Sequence, residues 1–146
     1  MIVVDTNIIV YAHIESDHTT LAQSALKIDP DWIAPSLWIS EFRNVLSLHI
    51  RRSQLRLEEA LRAIQTAERV VNLAVYEDSK DILSLAQSSG CTAYDCEFVA
   101  AAKTLGVPLV TMDSQVLKAF PETAISLVDF ATPPPETESE IGDNPK

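Results

Sequence analysis

Short apolar runs, rich in β-branched residues, alternate along this chain with longer segments of helical periodicity. The clearest runs are residues 2–4, 32–34 and 109–112. Successive apolar residues fit strands that are buried on both faces, as in a parallel sheet covered by helices. Further strands are predicted at 70–73 and 125–128, and the segments between strands carry apolar residues at spacings of three and four. The pattern predicts a three-layer α/β/α sandwich with a central parallel sheet.

The composition fits one compact domain with an irregular C-terminal extension. The chain has 146 residues, of which 47% are hydrophobic, so it can bury a core without disulfides or a structural metal. We expect a domain over residues 1–130. Residues 131–146 contain three consecutive prolines and four acids without apolar periodicity, so we predict a disordered acidic tail.

Membrane insertion is not expected, because no apolar run approaches the roughly 20 residues needed to cross a bilayer. The apolar run at the N-terminus also lacks the preceding basic segment of a secretory signal. We therefore expect a cytoplasmic protein. Cys91 and Cys96 have neither a Cys-x-x-Cys spacing nor histidines placed to complete a zinc site, so we predict reduced cysteines in the core or on a helix.

The net charge of −10 argues against nucleic-acid binding by bulk electrostatics, which normally needs a basic surface. One stretch of the chain is nevertheless basic, since no acid falls between its first and last arginine. The candidate contacts for a polyanion or a protein partner are Arg43, Arg51, Arg52 and Arg56. The alternative is a solvated helix end, where arginines offset the helix dipole.

Two of the predicted strands run directly into an aspartate. Asp5 follows the strand at 2–4, and Asp113 follows the strand at 109–112. Open α/β sheets bind ligands in the crevice beyond the carboxyl ends of their strands, so both acids are placed for chemistry. Each also has a purely structural alternative, because aspartate is a favoured N-cap for the helix that follows.

Two further acids lie on predicted helices, beside apolar faces. Glu41 shares a helical sector with Leu37 and Val45. We therefore expect it to have a partner, a metal or a shifted pKa, unless it sits at the edge of the apolar stripe and reaches water. Asp95 borders another apolar stripe, and its structural alternative is a capping box with Thr92.

A single site would explain all four acids together, whereas their structural roles are independent of one another. Clustered carboxylates repel, and an oxygen-binding cation such as Mg²⁺ or Mn²⁺ relieves that repulsion. Divalent ions held by acids suit phosphoryl-transfer hydrolysis, because they lower the pKa of water and neutralise charge on the phosphate.

The same four acids carry a resemblance to a known family. The segments that contain them are VVDTNI at 3–8, PSLWISEFRNVL at 35–46, TAYDCEFVAAA at 92–102 and VTMDSQVL at 110–117. In this order and at these separations, the segments resemble the PIN-domain nucleases, especially the toxins of VapBC toxin–antitoxin modules. The resemblance covers residues 1 to about 130.

This resemblance implies a Mg²⁺- or Mn²⁺-dependent endoribonuclease, in which Asp5, Asp95 and Asp113 surround the principal metal ion. Glu41 would complete the acidic site by orienting water or a second ion. The positions that match supporting polar residues of the family are Thr6, Asn7 and Thr111. Cys96 stands where an alanine is frequent, and the tail lies outside the family pattern, so neither is given a catalytic role.

The resemblance also implies partners. Toxins of this kind usually form homodimers, and a cognate antitoxin holds them inactive by placing a helix and a tail in the groove. We therefore expect single-stranded or looped RNA as the substrate, an antitoxin as the protein partner, and a homodimer.

Two other function classes stay open at this point. One is a catalytically silent PIN-like binding module, against which the presence of all four acids argues. The other is an α/β phosphatase with Asp5 as the nucleophile, although such an enzyme would use a second acid where this chain has Asn7. Histidine-based nuclease chemistry is not expected, because His13, His18 and His49 are not spaced as an evident pair.

Overall fold

A five-stranded parallel sheet forms the centre of the molecule. The structure is a computed structural model, which describes residues 1–75, 78–132 and 134. The strands are β1 (Ile2–Val4), β2 (Trp32–Ala34), β3 (Val71–Leu73), β4 (Leu109–Thr111) and β5 (Ala124–Ser126). They lie in the order β3-β2-β1-β4-β5, and every neighbouring pair is parallel. The predicted parallel sheet is confirmed.

Within the described residues, seven helices lie between the strands and an eighth follows the last strand. They are α1 (Thr6–His13), α2 (Thr19–Ile28), α3 (Leu37–Arg51), α4 (Leu57–Val70), α5 (Ser79–Ser89), α6 (Ala93–Leu105), α7 (Ser114–Ala119) and α8 (Leu127–Ala131). Helix α6 packs against β1, β4 and α5, while α1 packs against α2, α3 and α4. Sheet and helices form a three-layer α/β/α sandwich, as predicted.

Burial rather than length holds the strands in the sheet. Each strand has three residues, and every residue of β1, β2 and β4 is buried. Because central strands of a parallel sheet are covered on both faces, their sequences read as continuous apolar runs. Thr111 is the exception, since it places a fully buried hydroxyl at the end of β4. A buried hydroxyl needs a hydrogen-bond partner, and that partner lies in the site described below.

The order of the strands creates a switch point between β1 and β4. From β1 the chain builds outward through β2 to β3, and it then crosses back to β4 and continues to β5. The connections after β1 and β4 lead to opposite edges of the sheet, so a crevice opens between them, beyond the carboxyl ends of these two strands. Asp5 directly follows β1, and Asp113 lies two residues beyond β4.

The last strand ends earlier than the sequence indicates. We predicted a strand at 125–128, but β5 ends at Ser126 and Leu127 already begins α8. The Ser126 hydroxyl accepts a hydrogen bond from the Asp129 N–H (3.0 Å) and donates one to the Asp129 carboxylate (2.8 Å). This N-cap outweighs the β propensity of Val128.

Other predictions have different outcomes. Cys91 and Cys96 are buried and unpaired, as predicted. Residues 133 and 135–146 lie outside the described residues, so the disordered tail and the boundary at residue 130 stay predictions. In the part of the chain that the structure describes, no helix has both the length and the apolar character needed to cross a membrane.

Candidate active site

Asp5 occupies the step from β1 into α1. Its backbone N–H pairs with the Val110 carbonyl of β4 (3.0 Å), so the residue is still anchored to the sheet. One carboxylate oxygen accepts a hydrogen bond from the Thr6 N–H and the other accepts one from the Thr111 hydroxyl, both at 2.7 Å. The carboxylate is therefore held between the start of α1 and the end of β4.

The surroundings of Asp5 disfavour its charged form. Burial raises the pKa of this carboxyl from 3.8 to about 6, and the negative charges of Glu41 and Asp95 act in the same direction. Hydrogen bonds from Thr111 and Thr6 oppose the rise. A raised carboxyl pKa beside other acids is typical of functional sites, where such groups are brought together despite their repulsion.

Glu41 reaches the same place from α3. Its Oε1 accepts a hydrogen bond from the Thr6 hydroxyl (2.8 Å), so the residue after Asp5 links the two acids. The side chain is half-buried, and burial raises the pKa of Glu41, with the charge of Asp95 adding to the rise. Of the outcomes we expected for Glu41, a hydrogen-bond partner and a shifted pKa are both present.

Asp95 enters the site from the first turn of α6. Its carboxylate accepts a hydrogen bond from the Thr92 N–H (3.3 Å), and the Thr92 hydroxyl accepts one from the Asp95 N–H (3.1 Å). The predicted capping box is confirmed. Its structural role does not remove Asp95 from the cluster, because its charge raises the pKa of both Asp5 and Glu41.

Asp113 is the N-cap of α7. Its Oδ1 accepts hydrogen bonds from the N–H groups of Gln115 (2.9 Å) and Val116 (3.1 Å). The Asp113 N–H donates to the Thr111 hydroxyl (3.0 Å), which in turn donates to Asp5. Thr111 therefore joins the two acids that follow the central strands.

The supporting residues are tied to the segments that carry the acids. Thr6 and Thr111 contact Glu41 and Asp5 through their hydroxyls. The side-chain oxygen of Asn7 accepts a hydrogen bond from the Met112 N–H at 3.4 Å. This bond connects α1 to the segment between β4 and α7.

All four acids line one open cavity of about 300 Å³. Its walls are formed by Asp5, Thr6, Asn7, Val10, Glu41, Asn44, Val45, Asp95 and Asp113. None of these nine residues is basic, so the cavity is strongly negative. The structure thus brings together every acid that the sequence singled out.

The donor set of this cavity fits an oxygen-binding divalent cation. Carboxylate, hydroxyl and amide oxygens are the ligands that Mg²⁺ and Mn²⁺ prefer. Within residues 1–75, 78–132 and 134, however, no three acidic, histidine or cysteine side chains converge closely enough to hold an ion as they stand. Metal binding would therefore require these side chains to rearrange, or to reach the ion in part through the waters that Mg²⁺ usually keeps.

Three lining residues were not predicted as part of the site. Asn44 and Val45 follow Glu41 by three and four positions, which makes them its neighbours on the surface of α3. Val10 has the same relation to Asn7 on α1. All three could have been predicted from the sequence, because each lies three or four residues after a predicted site residue on the same helix.

The arginines of the basic stretch lie outside the acid cavity, and all four are exposed. Arg43 lines a separate apolar groove of about 350 Å³ between α3 and α4. Arg51 turns back to the carbonyl and hydroxyl of Ser47, both at 3.4 Å. Arg56 forms an exposed ion pair with Glu59 at 3.4 Å. Arg51 and Arg56 thus have the local contacts expected of solvated helix ends.

The family model of the PIN domain matches residues 2–123 of the chain. The chain belongs to the PIN domain family. This PIN domain is 32% identical over 124 residues to Ribonuclease VapC3 of Pyrobaculum aerophilum, in an alignment that covers 82% of this chain and 95% of that protein. The resemblance seen in the four motifs is confirmed.

The fold of this PIN domain is similar to that in the crystal structure of PAE2754 from Pyrobaculum aerophilum. The TM-score is 0.68 at 23% sequence identity, and the alignment covers 88% of this chain and 93% of that one. All four cavity acids, from Asp5 to Asp113, fall within the segment that matches the PIN domain model.

Proposed function

We propose that this PIN domain is a Mg²⁺- or Mn²⁺-dependent endoribonuclease that cleaves single-stranded or looped RNA. The observation that carries the proposal is the cavity with four acids, in which the pKa of Asp5 is raised to about 6. Such crowding destabilises the metal-free protein, and a divalent cation relieves it. The similarity to a protein named a ribonuclease supports RNA as the substrate.

In this proposal Asp5, Asp95 and Asp113 hold the principal ion, and Glu41 completes the site. When bound, the ion supplies a Lewis acid that polarises a phosphoryl oxygen and makes water a stronger nucleophile at neutral pH. Thr6 and Thr111 each donate a hydrogen bond to one of these carboxylates, which limits the rotation of Asp5 and Glu41.

Glu41 is the residue that we assign to proton transfer. Its Oε1 is engaged by the Thr6 hydroxyl, while its Oε2 makes no hydrogen bond within the described residues. A raised pKa makes this carboxylate a better proton acceptor near neutral pH than an ordinary glutamate. In our proposal Oε2 takes the proton from the water that attacks the phosphodiester.

We further propose that the protein is the toxin of a type II toxin–antitoxin system and forms a homodimer in the cytoplasm, where its RNA substrate would be found. The similarity to Ribonuclease VapC3 supports this role. Residues 1–130 would form the nuclease domain, and residues 131–146 a tail without a catalytic role.

The proposed antitoxin surface is the apolar groove between α3 and α4. It exposes Leu57 and Leu61 and has Arg43 in its wall. An amphipathic helix can place its apolar face in such a groove, with an acidic residue beside Arg43. Ser47 of this groove follows Asn44 of the acid cavity by three positions on α3, so the two are surface neighbours and a segment that leaves the groove could continue into the cavity.

The test is cleavage of RNA by the purified protein with Mg²⁺, with Mn²⁺ and with excess chelator, followed by mapping of the new 5′ ends. We expect cleavage only with a divalent ion, and none by Asp5→Asn. Asp17→Asn, which changes an exposed aspartate outside the cavity, is the matched control and should remain active. Activity that persists in excess chelator would overturn the proposal.

Two other outcomes would indicate the alternative functions. RNA binding without cleavage under every metal condition would indicate a silent binding module. Phosphate retained covalently on Asp5 after incubation with a phosphoester would indicate a phosphatase.

A further inference from the structure

The side-chain amide of Asn44 lies in the acid cavity without an intramolecular partner. Asn44 is on α3, three residues after Glu41, and it lines the cavity together with the acids. Its backbone carbonyl accepts a hydrogen bond from the Ser47 hydroxyl (2.8 Å). Its side-chain amide, however, makes no hydrogen bond to any described residue.

An asparagine is unfavourable at this position on structural grounds. Asn44 lies in the interior of a 15-residue helix, where asparagine is a weaker helix former than alanine because its side chain competes for backbone hydrogen bonds. The side chain is exposed, so it adds little packing to the core. A residue that breaks a local rule without a structural gain points to a functional contact.

The Thr6 hydroxyl and the Asn7 carbonyl oxygen, which belong to the other two neutral polar residues of the cavity, are already engaged. The Thr6 hydroxyl donates to Glu41, and Asn7 Oδ1 accepts from the Met112 N–H. Asn44 therefore contributes a free amide beside four acids, with an NH₂ group that donates and a carbonyl oxygen that accepts.

We propose that Asn44 contacts the ribose 2′-hydroxyl of a nucleotide next to the scissile phosphate, an inference that rests on the proposed ribonuclease function. A 2′-hydroxyl both donates and accepts hydrogen bonds, as the amide does. A phosphate oxygen only accepts, and it would leave the Asn44 carbonyl unpaired. A lysine or arginine at this position would instead pair with Glu41, one helical turn away.

This contact gives the cavity a way to select RNA. The 2′-hydroxyl is the group by which a protein distinguishes RNA from DNA at a given position. The acids and their ion act on the phosphodiester, which both nucleic acids share. Asn44 supplies a contact that only RNA satisfies.

The test pairs Asn44→Ala with substrates that lack one hydroxyl. The cleavage site of a short RNA is mapped first, and the three nucleotides around it are then replaced one at a time by their 2′-deoxy forms. Loss of one hydrogen bond between neutral groups predicts a roughly three- to tenfold lower kcat/KM. For the wild type, kcat/KM should fall by this factor when the 2′-hydroxyl is removed at one of the three positions.

Asn44→Ala should show the same loss on the all-RNA substrate and no further loss when that one hydroxyl is removed. The variant should melt no lower than wild type, because alanine favours the helix, so unfolding would not explain its lower activity. Asn72→Ala, which changes an exposed asparagine of β3 outside the cavity, should respond to the 2′-deoxy substrates as wild type does.

If Asn44→Ala cleaves RNA as well as wild type does, the proposed contact is wrong. It is also wrong if, at every position, the decrease in kcat/KM caused by the variant multiplies with the decrease caused by removing the 2′-hydroxyl. Both results leave an active ribonuclease and therefore leave the proposed function intact. A wild type that neither cleaves nor binds RNA would instead overturn the proposed function, and the contact with it.

Discussion

The hydroxyl of Thr111 donates a hydrogen bond of 2.7 Å to the carboxylate of Asp5, across 106 positions of the chain. The pairing of β4 with β1 brings the two residues together. The same hydroxyl accepts the N–H of Asp113 at 3.0 Å. One buried side chain therefore influences the ionisation of the first acid and the position of the last.

Thr111→Val should raise the pKa of Asp5 above about 6, because the bond from Thr111 is the largest influence that lowers it. The Asp113 N–H also loses its acceptor, so the free energy of unfolding should fall by about 1–3 kcal/mol. Titration of the Asp5 carboxyl by NMR and chemical denaturation measure the two effects. Thr111→Ser keeps the hydroxyl and should keep the pKa. An unchanged pKa in the valine variant would contradict the role given to this bond.

Asp5→Asn should separate the metal-binding role of Asp5 from its capping role. Asparagine caps a helix about as well as aspartate, so the start of α1 is preserved. Removal of one charge beside Glu41 and Asp95 relieves repulsion, so the metal-free variant should melt higher than metal-free wild type.

Mn²⁺ should raise the melting temperature of the wild type by mass action and that of Asp5→Asn much less. Melting curves of both proteins with and without Mn²⁺ measure the difference. Equal shifts in the two proteins would show that Asp5 is not a metal ligand.

The metal-free wild type should lose stability relative to Asp5→Asn as the pH rises from about 4 to about 6. Asp5 titrates at about 6 in the folded protein, against 3.8 for an unperturbed carboxyl. Between these values the folded state holds more protons than the unfolded chain, so the free energy of unfolding falls with pH. The titration of Asp5 lowers the free energy of unfolding by at most about 1.4 kcal/mol per pH unit.

Glu41, whose pKa is also raised, acts in the same direction. Urea denaturation of both proteins in excess chelator, at a series of pH values, gives the difference that isolates Asp5. Parallel stability profiles would rule out a raised pKa at this residue.

Reversal of Arg51 and Arg52 to glutamate should weaken the binding of RNA or of the antitoxin and reduce its salt dependence. For single-stranded nucleic acid, each lost phosphate contact reduces the slope of log K against log salt by about 0.7. Reversal of Arg62 and Arg69, which are exposed on α4, changes the net charge equally and is the control. If affinity and slope are unchanged for both partners, Arg51 and Arg52 only complete the end of α3.

The central strands could be predicted from sequence because burial on both faces leaves a visible mark. The runs that became β1, β2 and β4 are continuous and, except for Thr111, apolar up to the acid or proline that ends them. The end of β5 was missed because Val128 favours a strand, while the stronger signal was Ser126 followed three residues later by Asp129. That pair is a capping motif, and it starts a helix instead.

The acids of the site could also be located, but their contacts could not. From sequence, capping and site membership stood as alternatives for Asp5, Asp95 and Asp113, yet each residue caps or completes a cap and also lines the cavity. Both are possible because a carboxyl group has two oxygens. No local pattern encodes the sheet order that places Thr111 beside Asp5.

Two helices of this fold have an aspartate of the cavity as their N-cap, namely α1 with Asp5 and α7 with Asp113. Asparagine is nearly as good a cap, and a single G-to-A change converts an aspartate codon into an asparagine codon. In the proposed nuclease, an inert protein with an intact fold is therefore one point mutation away at either position. If expression of the protein arrests growth, we expect surviving cells to carry these two substitutions and still accumulate the full-length chain, so that genetic loss of toxicity precedes any loss of structure.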